Sequence, residues 1–231
     1  SSEKNIVVMN TPLGNVQATA ELTFGIIHSL MRKIHIANSS MHNKKWEKKK
    51  LIGNELLGKN IAIIGFGNIG KKVADFAKAY GMNIIVVSET ASSGDVDYLN
   101  AKVMKFDDML SEADIITFHN KLSEKSKYII NSESLKQMKK NSIVINCARG
   151  GIVNEADMKE ALEKEIISGY GCDVYEVEPQ TDPIFCGMNN VVMTPHIGAG
   201  TSEAQEKVAV QIAEQVSDYL INNNIVNQVK P

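Results

Sequence analysis

The feature that most restricts the fold of this chain is a glycine-rich turn in the segment NIAIIGFGNIGKKVADF, residues 60–76. A short apolar run, residues 61–64, precedes the glycines. An uninterrupted run of this kind is typical of a strand that is buried on both faces of a parallel sheet. Apolar residues then recur at helical spacing, at Val73, Phe76, Ala77 and Tyr80. The glycines are therefore predicted to lie at a turn from a strand to a helix.

Each glycine of this turn has a role that suits the binding of a dinucleotide. Gly65 permits the tight turn, Gly67 lets the backbone approach a pyrophosphate, and Gly70 lets the helix pack closely against the strand. The N-terminus of the helix would then face the anion. A glycine-rich turn without a ligand is the alternative, but the strand and helix on its two sides favour the dinucleotide.

The rest of the chain alternates between strand-like and helical patterns. After the turn these runs cover residues 83–87, 106–110, 114–118, 132–138 and 142–146. A helix is then predicted at 155–163, and strands are predicted at 169–174 and 190–194. A final helix is predicted at 202–220, with Thr201 or Ser202 as its N-cap. This alternation predicts an α/β fold with a doubly wound parallel sheet. A long amphipathic helix is predicted before the turn, over residues 16–40, with apolar positions at Leu22, Ile26, Ile27, Leu30 and Met31.

Composition is compatible with this fold and excludes some functions. With 231 residues and 43% hydrophobic content, the chain can bury one large core or two modest ones. A net charge of −2 gives no general attraction to nucleic acids or anionic membranes. The three cysteines, Cys147, Cys172 and Cys186, form no C-x-x-C pair, which fits a reducing compartment. We expect a cytoplasmic protein that binds neither nucleic acid nor membrane.

Three polar side chains follow the predicted strands closely and are candidates for chemistry at one edge of the sheet. The guanidinium of Arg149 could hold a carboxylate in two hydrogen bonds. His196 could donate a proton, and Glu178 could orient and charge its imidazole. Each residue also has an ordinary explanation. Arg149 could form a surface ion pair, His196 could be a buried, hydrogen-bonded histidine, and Glu178 could be a solvated acid. Packing alone does not easily explain why all three side chains would lie together beside a bound nicotinamide.

The chain resembles the D-isomer-specific 2-hydroxyacid dehydrogenases in the segments MNTPLGN, ATAELT, IAIIGFGNIGKKVA, INCARGGIVNE, GCDVYEVEP and NVVMTPHIGAGTSEAQ. The resemblance implies a Rossmann-type NAD-binding domain and hydride transfer between the nicotinamide and C2 of a small 2-oxo or 2-hydroxy acid. It implies that Arg149 binds the carboxylate and carbonyl of the substrate and that His196 protonates the carbonyl oxygen during reduction. Glu178 would favour the protonated imidazole.

The resemblance also implies the cofactor contacts. Asp173 matches the position that hydrogen-bonds the nicotinamide carboxamide. Where the family usually has an aspartate for the adenosine ribose, this chain has Ser88, followed by Glu89. Serine there is often associated with NADP, but SETASSGD contains no cation for a 2′-phosphate, so NAD is expected. The expected cofactor-binding residues are Gly65, Gly67, Asn68, Ile69, Gly70, Ser88, Glu89, His119, Cys147, Ala148, Arg149, Asp173, His196 and Gly198, and no metal is expected. Lys121, where the family commonly has proline, would touch a ribose or phosphate or else be solvated.

The domain organisation and the oligomeric state are inferred from the same resemblance. Little chain precedes MNTPLGN, so we expect a fragment or a partly covered chain that lacks most of the substrate domain. Residues 1–9 would end that domain and its hinge, residues 10–196 would form the NAD-binding domain, and residues 197–231 would return toward the substrate domain. A homodimer is expected, because the helix at 16–40 has more apolar positions than one sheet face would cover and the family pairs through this region.

The identity of the substrate depends mainly on the segment KKWEKKKLIGNEL, residues 44–56. It resembles a stretch of the D-3-phosphoglycerate dehydrogenases in which a basic residue lies near the substrate phosphate, often from the partner subunit, and Lys48 takes that position. A solvated run of charges is the alternative. Hydroxypyruvate and glyoxylate reductases remain open as a second assignment. NAD-sensing corepressors that bind other proteins are a third, although Arg149, Glu178 and His196 favour an enzyme.

Overall fold

The computed structural model describes residues 6–229. The first five residues of the predicted 1–9 segment, and residues 230–231 of the predicted C-terminal segment, lie outside the described residues. The strands are β1 (Asn60–Ile64), β2 (Asn83–Val87), β3 (Lys102–Val103), β4 (Ile115–Phe118), β5 (Ile143–Asn146), β6 (Gly169–Cys172) and β7 (Val191–Met193). The helices are α1 (Val16–Met31), α2 (Ile34–His42), α3 (Asn68–Ala79), α4 (Ser93–Val96), α5 (Phe106–Leu110), α6 (Ser132–Gln137), α7 (Glu155–Glu163) and α8 (Ser202–Asn222).

The seven strands form one sheet in the order β3-β2-β1-β4-β5-β6-β7. All six strand pairings are parallel. The order reverses direction between β1 and β4, which are neighbours in space but not in sequence. The predicted doubly wound parallel sheet is therefore confirmed, and the crevice for a ligand in such a sheet lies beyond the carboxyl ends of the strands at this reversal.

The sheet has a hydrophobic core on each face. Within β1, Ala62 and Ile64 belong to one core, together with residues of α5, α6 and α7. Ile61 and Ile63 belong to the other, together with residues of α1 and α3. Successive side chains of a strand point to opposite faces. Burial on both faces therefore explains the continuous apolar runs of the strands.

The prediction of one helix over residues 16–40 is wrong, because the segment forms two helices. The chain turns after Met31, where Lys33 adopts a left-handed conformation with φ of 54°. The predicted apolar positions all fall within α1, whereas Ser40 is the one buried residue of α2. The apolar stripe that would hold a longer helix against the sheet therefore ends at Met31. No glycine or proline marks this break in the sequence. The short elements β3 and α4 were not predicted either.

The two ends of the described chain lie side by side. Met9 forms an antiparallel bridge with Gln228, and the N–H of Val229 donates to the carbonyl of Val8 at 2.8 Å. Helix α8 begins as predicted, since the Thr201 hydroxyl accepts a hydrogen bond from the N–H of Ala204. Among residues 6–229, no helix has the length and apolar character needed to cross a membrane.

Candidate functional site

The candidate site lies along the carboxyl edge of the sheet, where the loops after six of the strands meet. Gly65 follows β1, Ser88 follows β2 and His119 follows β4. Arg149 lies in the loop after β5, Asp173 follows β6, and His196 lies just beyond β7. Parallel strands bring their carboxyl ends to one edge, so residues far apart in sequence come together here.

The glycine turn has the shape that the sequence predicts. Gly65 has φ of 91°, and a Cβ there would lie 2.7 Å from the backbone nitrogen of Asn120. A Cβ at Gly70 would lie 2.1 Å from the carbonyl oxygen of Gly65, so the helix could not pack this closely with a larger residue. A Cβ at Gly67 would instead meet nothing within 4 Å. Both close approaches require glycine, and the space beside Gly67 is open.

The helix after the turn offers a place for an anion. Helix α3 starts at Asn68, and its N-cap residue, Gly67, has no side chain that could accept from the first N–H groups. Those N–H groups have no partners within the helix, and they carry the positive end of the helix dipole. A pyrophosphate in the open space beside Gly67 would satisfy them.

Two buried polar atoms beside the turn also lack partners. Nδ1 of His119 and Oδ1 of Asn120 are buried and form no hydrogen bond with any of the residues that the structure describes. The Nε2 of His119 lies 3.0 Å from the Thr117 hydroxyl. Burial lowers the pKa of His119 to about 3, so the imidazole is neutral. Unpartnered buried polar groups are unfavourable, so these atoms fit a site that a polar ligand completes. His119 was predicted, whereas Asn120 was not.

Arg149 is presented by a loop that a buried asparagine holds. The side chain of Asn146 donates to the carbonyl of Arg149 at 2.9 Å and accepts from the N–H of Ala148 at 3.1 Å. Nη1 of Arg149 donates to the carbonyl of Ala148 at 2.6 Å, which leaves further guanidinium N–H groups for a ligand. Asn146 was missed, although a buried polar residue at the end of an apolar strand is a signal for such a role. Burial raises the pKa of the neighbouring Cys147 to about 12, so its thiol is not a nucleophile.

His196 and Glu178 are in direct contact, as predicted. The imidazole Nδ1 lies 2.6 Å from Oε2 of Glu178. Oε1 of Glu178 accepts from the N–H of Tyr175 at 3.0 Å. Partial burial acts to raise the pKa of Glu178, but the hydrogen bonds from His196 and Tyr175, with the charges of His196 and Arg149, outweigh it and hold that pKa below its ordinary value. The carboxylate therefore stays ionised beside the imidazole.

Asp173 holds the loop that carries His196. Its carboxylate is buried and accepts from the Thr194 hydroxyl at 2.6 Å. It also accepts from the N–H groups of Ile197 and Gly198, both at 2.8 Å. These bonds bracket His196, which has φ of 55°. The positioning role of Asp173 was not predicted, and its bond to a carboxamide stays a prediction.

The loop after β2 has a charged partner that the sequence did not indicate. Ser88 Oγ accepts from the N–H groups of Thr90 and Ala91, so it stabilises the loop itself. Oε1 of Glu89 lies 2.7 Å from Nζ of Lys125, in the loop after β4. The segment SETASSGD contains no cation, but the tertiary structure brings Lys125 to Glu89, the residue after Ser88. Lys121 is exposed, and its contact with the cofactor stays a prediction.

Lys48 is the one predicted site residue that lies elsewhere. Lys48 belongs to a short exposed helix, Lys48–Lys50. The carbonyl oxygen of Lys50 accepts a hydrogen bond from Nζ of Lys33 at 3.4 Å. Lys33 lines a cavity together with Ser168 and Asn190, which directly precede β6 and β7. Lys48 is therefore associated with the amino edge of the sheet, opposite Arg149 and His196.

Known proteins share this fold and sequence pattern. The family model described as D-isomer specific 2-hydroxyacid dehydrogenase, NAD binding domain, matches residues 24–198. The chain is 40% identical to D-3-phosphoglycerate dehydrogenase of Bacillus subtilis over 95% of this chain and 42% of that protein. It is 43% identical to hydroxypyruvate reductase of Thermotoga maritima over 94% of this chain and 71% of that protein. It thus spans less than half the length of the Bacillus protein.

A solved structure extends the comparison to a ligand complex. The NAD-complexed D-isomer specific 2-hydroxyacid dehydrogenase of Lactobacillus delbrueckii ssp. bulgaricus is 30% identical and superposes with a TM-score of 0.84. The match covers 99% of this chain and 73% of that one.

Proposed function

Because the chain belongs to the D-isomer specific 2-hydroxyacid dehydrogenase family and holds its NAD-binding domain, we propose that the protein is an NAD-dependent oxidoreductase. It interconverts a D-2-hydroxy acid and the corresponding 2-oxo acid. The observation that carries this proposal is the 2.6 Å contact between His196 Nδ1 and Glu178 Oε2 at the carboxyl edge of the sheet. NAD, when bound, supplies the hydride acceptor or donor.

The residues of the chain then bind the acid and move its proton. Glu178 occupies Nδ1 of His196, so Nε2 is the atom that gives a proton to the carbonyl oxygen during reduction and receives it during oxidation. The ionised Glu178 stabilises the imidazolium that reduction requires. The guanidinium of Arg149 binds the carboxylate and orients the carbonyl. Gly65, Gly67, Asn68, Ile69 and Gly70 hold the pyrophosphate at the start of α3, and Glu89 accepts from the adenosine ribose.

We propose 3-phosphoglycerate and phosphohydroxypyruvate as the substrate pair. The identity with the Bacillus phosphoglycerate dehydrogenase and the basic run at Lys48 support this choice. Since Lys48 is associated with the opposite edge of the sheet, it would act on the substrate phosphate of a second copy. The identity with the Thermotoga hydroxypyruvate reductase favours a second candidate, a hydroxypyruvate or glyoxylate reductase, which needs no phosphate site.

We also propose the predicted division of the chain. Residues 1–9 end the substrate domain and its hinge, residues 10–196 form the NAD-binding domain, and residues 197–231 return toward the substrate domain. The bridge between Met9 and Gln228 supports it. Helix α8 supports it as well, because several of its apolar side chains are exposed. These are Val210, Ile212, Val216, Leu220 and Ile221. A substrate domain would cover them. The free cysteines support a reducing compartment, and we propose the cytoplasm.

A homodimer completes the proposal. Four large apolar side chains are more than half exposed in and after α2, namely Ile34, Met41, Trp46 and Ile52, and we call them the pairing face. On α1 and just after α3, Phe24, His28 and Tyr80 line an open cavity of about 450 Å³, and the buried Nε2 of His28 has no hydrogen-bond partner among residues 6–229. Exposed apolar patches of this kind are typical of protein interfaces. A second copy of the chain would cover both regions.

The experiment is a screen of NADH oxidation by the full-length protein with phosphohydroxypyruvate, hydroxypyruvate, glyoxylate and pyruvate, followed at the NADH absorbance. We expect turnover with at least one of these acids and the highest kcat/KM with phosphohydroxypyruvate. A higher kcat/KM with hydroxypyruvate would favour the reductase. Binding of NADH by calorimetry without turnover of any acid would overturn the proposed enzyme.

A further inference from the structure

The ion pair between Glu89 and Lys125 crosses the mouth of the glycine turn. Strand β1 lies between β2 and β4 in the sheet, and Gly65 follows β1. Glu89 is in the loop after β2 and Lys125 is in the loop after β4, so their 2.7 Å contact spans the end of β1. Among residues 6–229, the other lysine ion pairs lie within helical segments or, for Lys139 and Asp114, at the amino edge. This ion pair therefore joins the two loops that flank the glycine turn, where a dinucleotide would bind.

The charged groups after β2 are the ones that an adenosine ribose would meet in a sheet of this kind. A carboxylate at the end of β2 accepts from the 2′-hydroxyl of NAD and repels the 2′-phosphate of NADP. Here the carboxylate is not alone, because Lys125 lowers the pKa of Glu89 and sets a positive charge beside it. The neighbouring Ser88 has a small, uncharged side chain, and its hydroxyl oxygen accepts hydrogen bonds from the N–H groups of Thr90 and Ala91 in the same loop.

The pair is also free to rearrange. The side chains of Lys125 and Glu89 are 83% and 77% exposed, and Lys125 has no other carboxylate partner within the described part of the chain. An exposed ion pair is worth little to stability. A doubly charged phosphate can therefore compete with Glu89 for the ammonium group at small cost to the fold.

We propose that Lys125 is a specificity-determining residue that admits a 2′-phosphorylated cofactor, so that the site binds NADP(H) as well as NAD(H). With NAD(H), Glu89 accepts from the ribose hydroxyls and keeps Lys125 paired. With NADP(H), the ammonium group of Lys125 binds the 2′-phosphate. NAD(H) stays preferred, because Glu89 still faces the phosphate. This inference rests on the proposed function only in requiring that a nicotinamide dinucleotide binds at the glycine turn.

The test is calorimetric titration of the chain with NADH, NADPH, 5′-AMP and 2′,5′-ADP, which separates binding from turnover. The variants are Lys125→Met and Glu89→Gln. The matched control is Lys159→Met, which removes the lysine of another exposed ion pair, with Glu163 in α7. Circular dichroism melting of each variant checks that the fold is kept.

We expect Lys125→Met to weaken the binding of NADPH and 2′,5′-ADP about fivefold or more, the equivalent of one unit-charge contact in water. Binding of NADH and 5′-AMP should change by less than about twofold on the same scale. Glu89→Gln should tighten NADPH, and the control should change nothing. The selective effect of Lys125→Met should shrink as salt is raised, because exposed charges are screened.

Several results would overturn the inference and can be told apart. If the wild-type chain binds NADH but not NADPH, the proposed role of Lys125 fails and the proposed function stands. An equal loss of NADH and NADPH in Lys125→Met would mean that the lysine supports the site in general and does not read the 2′-phosphate. If no dinucleotide binds to any variant, the proposed function fails as well.

Discussion

Replacing His119 should make the stability of this protein less sensitive to acid. Burial lowers the pKa of His119 to about 3 from the ordinary value of 6.5. The unfolded chain therefore takes up a proton on this residue below about pH 6.5, while the folded chain stays neutral there until the pH approaches 3. Stability is unaffected above pH 7 and falls as the pH is lowered from 6.5 toward 3. The acid side of the stability profile is where the effect must appear.

The size of the effect follows from linkage between protonation and folding. At pH 5 an ordinary imidazole in the unfolded chain is almost fully protonated, which lowers the free energy of unfolding by about 2 kcal/mol relative to pH 7.5. This value does not depend on how far below about 4 the folded pKa lies. Within residues 6–229 the buried Nδ1 atom of His119 has no hydrogen-bond partner, so the proton that Nδ1 carries in the charged ring would have no acceptor.

The variant is His119→Gln, whose amide can still bond the hydroxyl of Thr117 but does not titrate. Urea unfolding at pH 7.5 and pH 5.0 gives the free energy of unfolding for wild type and variant. The loss between the two pH values should be about 2 kcal/mol smaller in the variant. Other titrating groups contribute equally to both proteins and cancel in the comparison. His42→Gln, at the exposed end of α2, is the control for a histidine-to-glutamine change at the surface. An identical loss in wild type and His119→Gln would refute the buried neutral imidazole.

Four further outcomes follow from the site and the pairing face. Removing the proton donor with His196→Ala should lower kcat of the full-length protein roughly 10²–10⁴-fold while NADH still binds by calorimetry, and near-normal turnover would assign the proton to another group. Glu178→Gln removes the negative charge beside the imidazole of His196, so kcat for reduction should fall while NADH still binds, and an unchanged kcat would exclude this role. Arg149→Lys should chiefly raise KM for the acid, because the forked contact to the carboxylate is lost, whereas an unchanged KM would contradict that contact. Light scattering should give a dimer at high micromolar concentration. Trp46 is the single tryptophan of the chain, and its fluorescence should shift to shorter wavelength as dilute protein is concentrated. A monomer at every concentration would refute the pairing.

The parallel sheet and its glycine turn could be predicted from the sequence because the signals are local. Strands buried on both faces require continuous apolar runs, and the surface helices between them require apolar residues at helical spacing. The positive φ of Gly65 and the close approach of Gly70 to the carbonyl oxygen of Gly65 both belong to this one turn. The convergence of Arg149, Glu178 and His196 at one edge was equally accessible, because parallel strands leave no other place for residues that follow their carboxyl ends.

Contacts between distant loops were decided by the tertiary structure. Lys125 reaches Glu89 across 36 positions of the sequence, and Asp173 holds the loop around His196 from more than 20 positions away. No periodicity or turn residue encodes such pairs, because they depend on which strands become neighbours and how far their loops extend. The end of α1 at Met31 was decided in the same way. Residues 34–42 form a helix as well, but Ser40 is its one buried residue, so the chain turns away from the core after Met31 and carries Lys48 to the edge opposite the site.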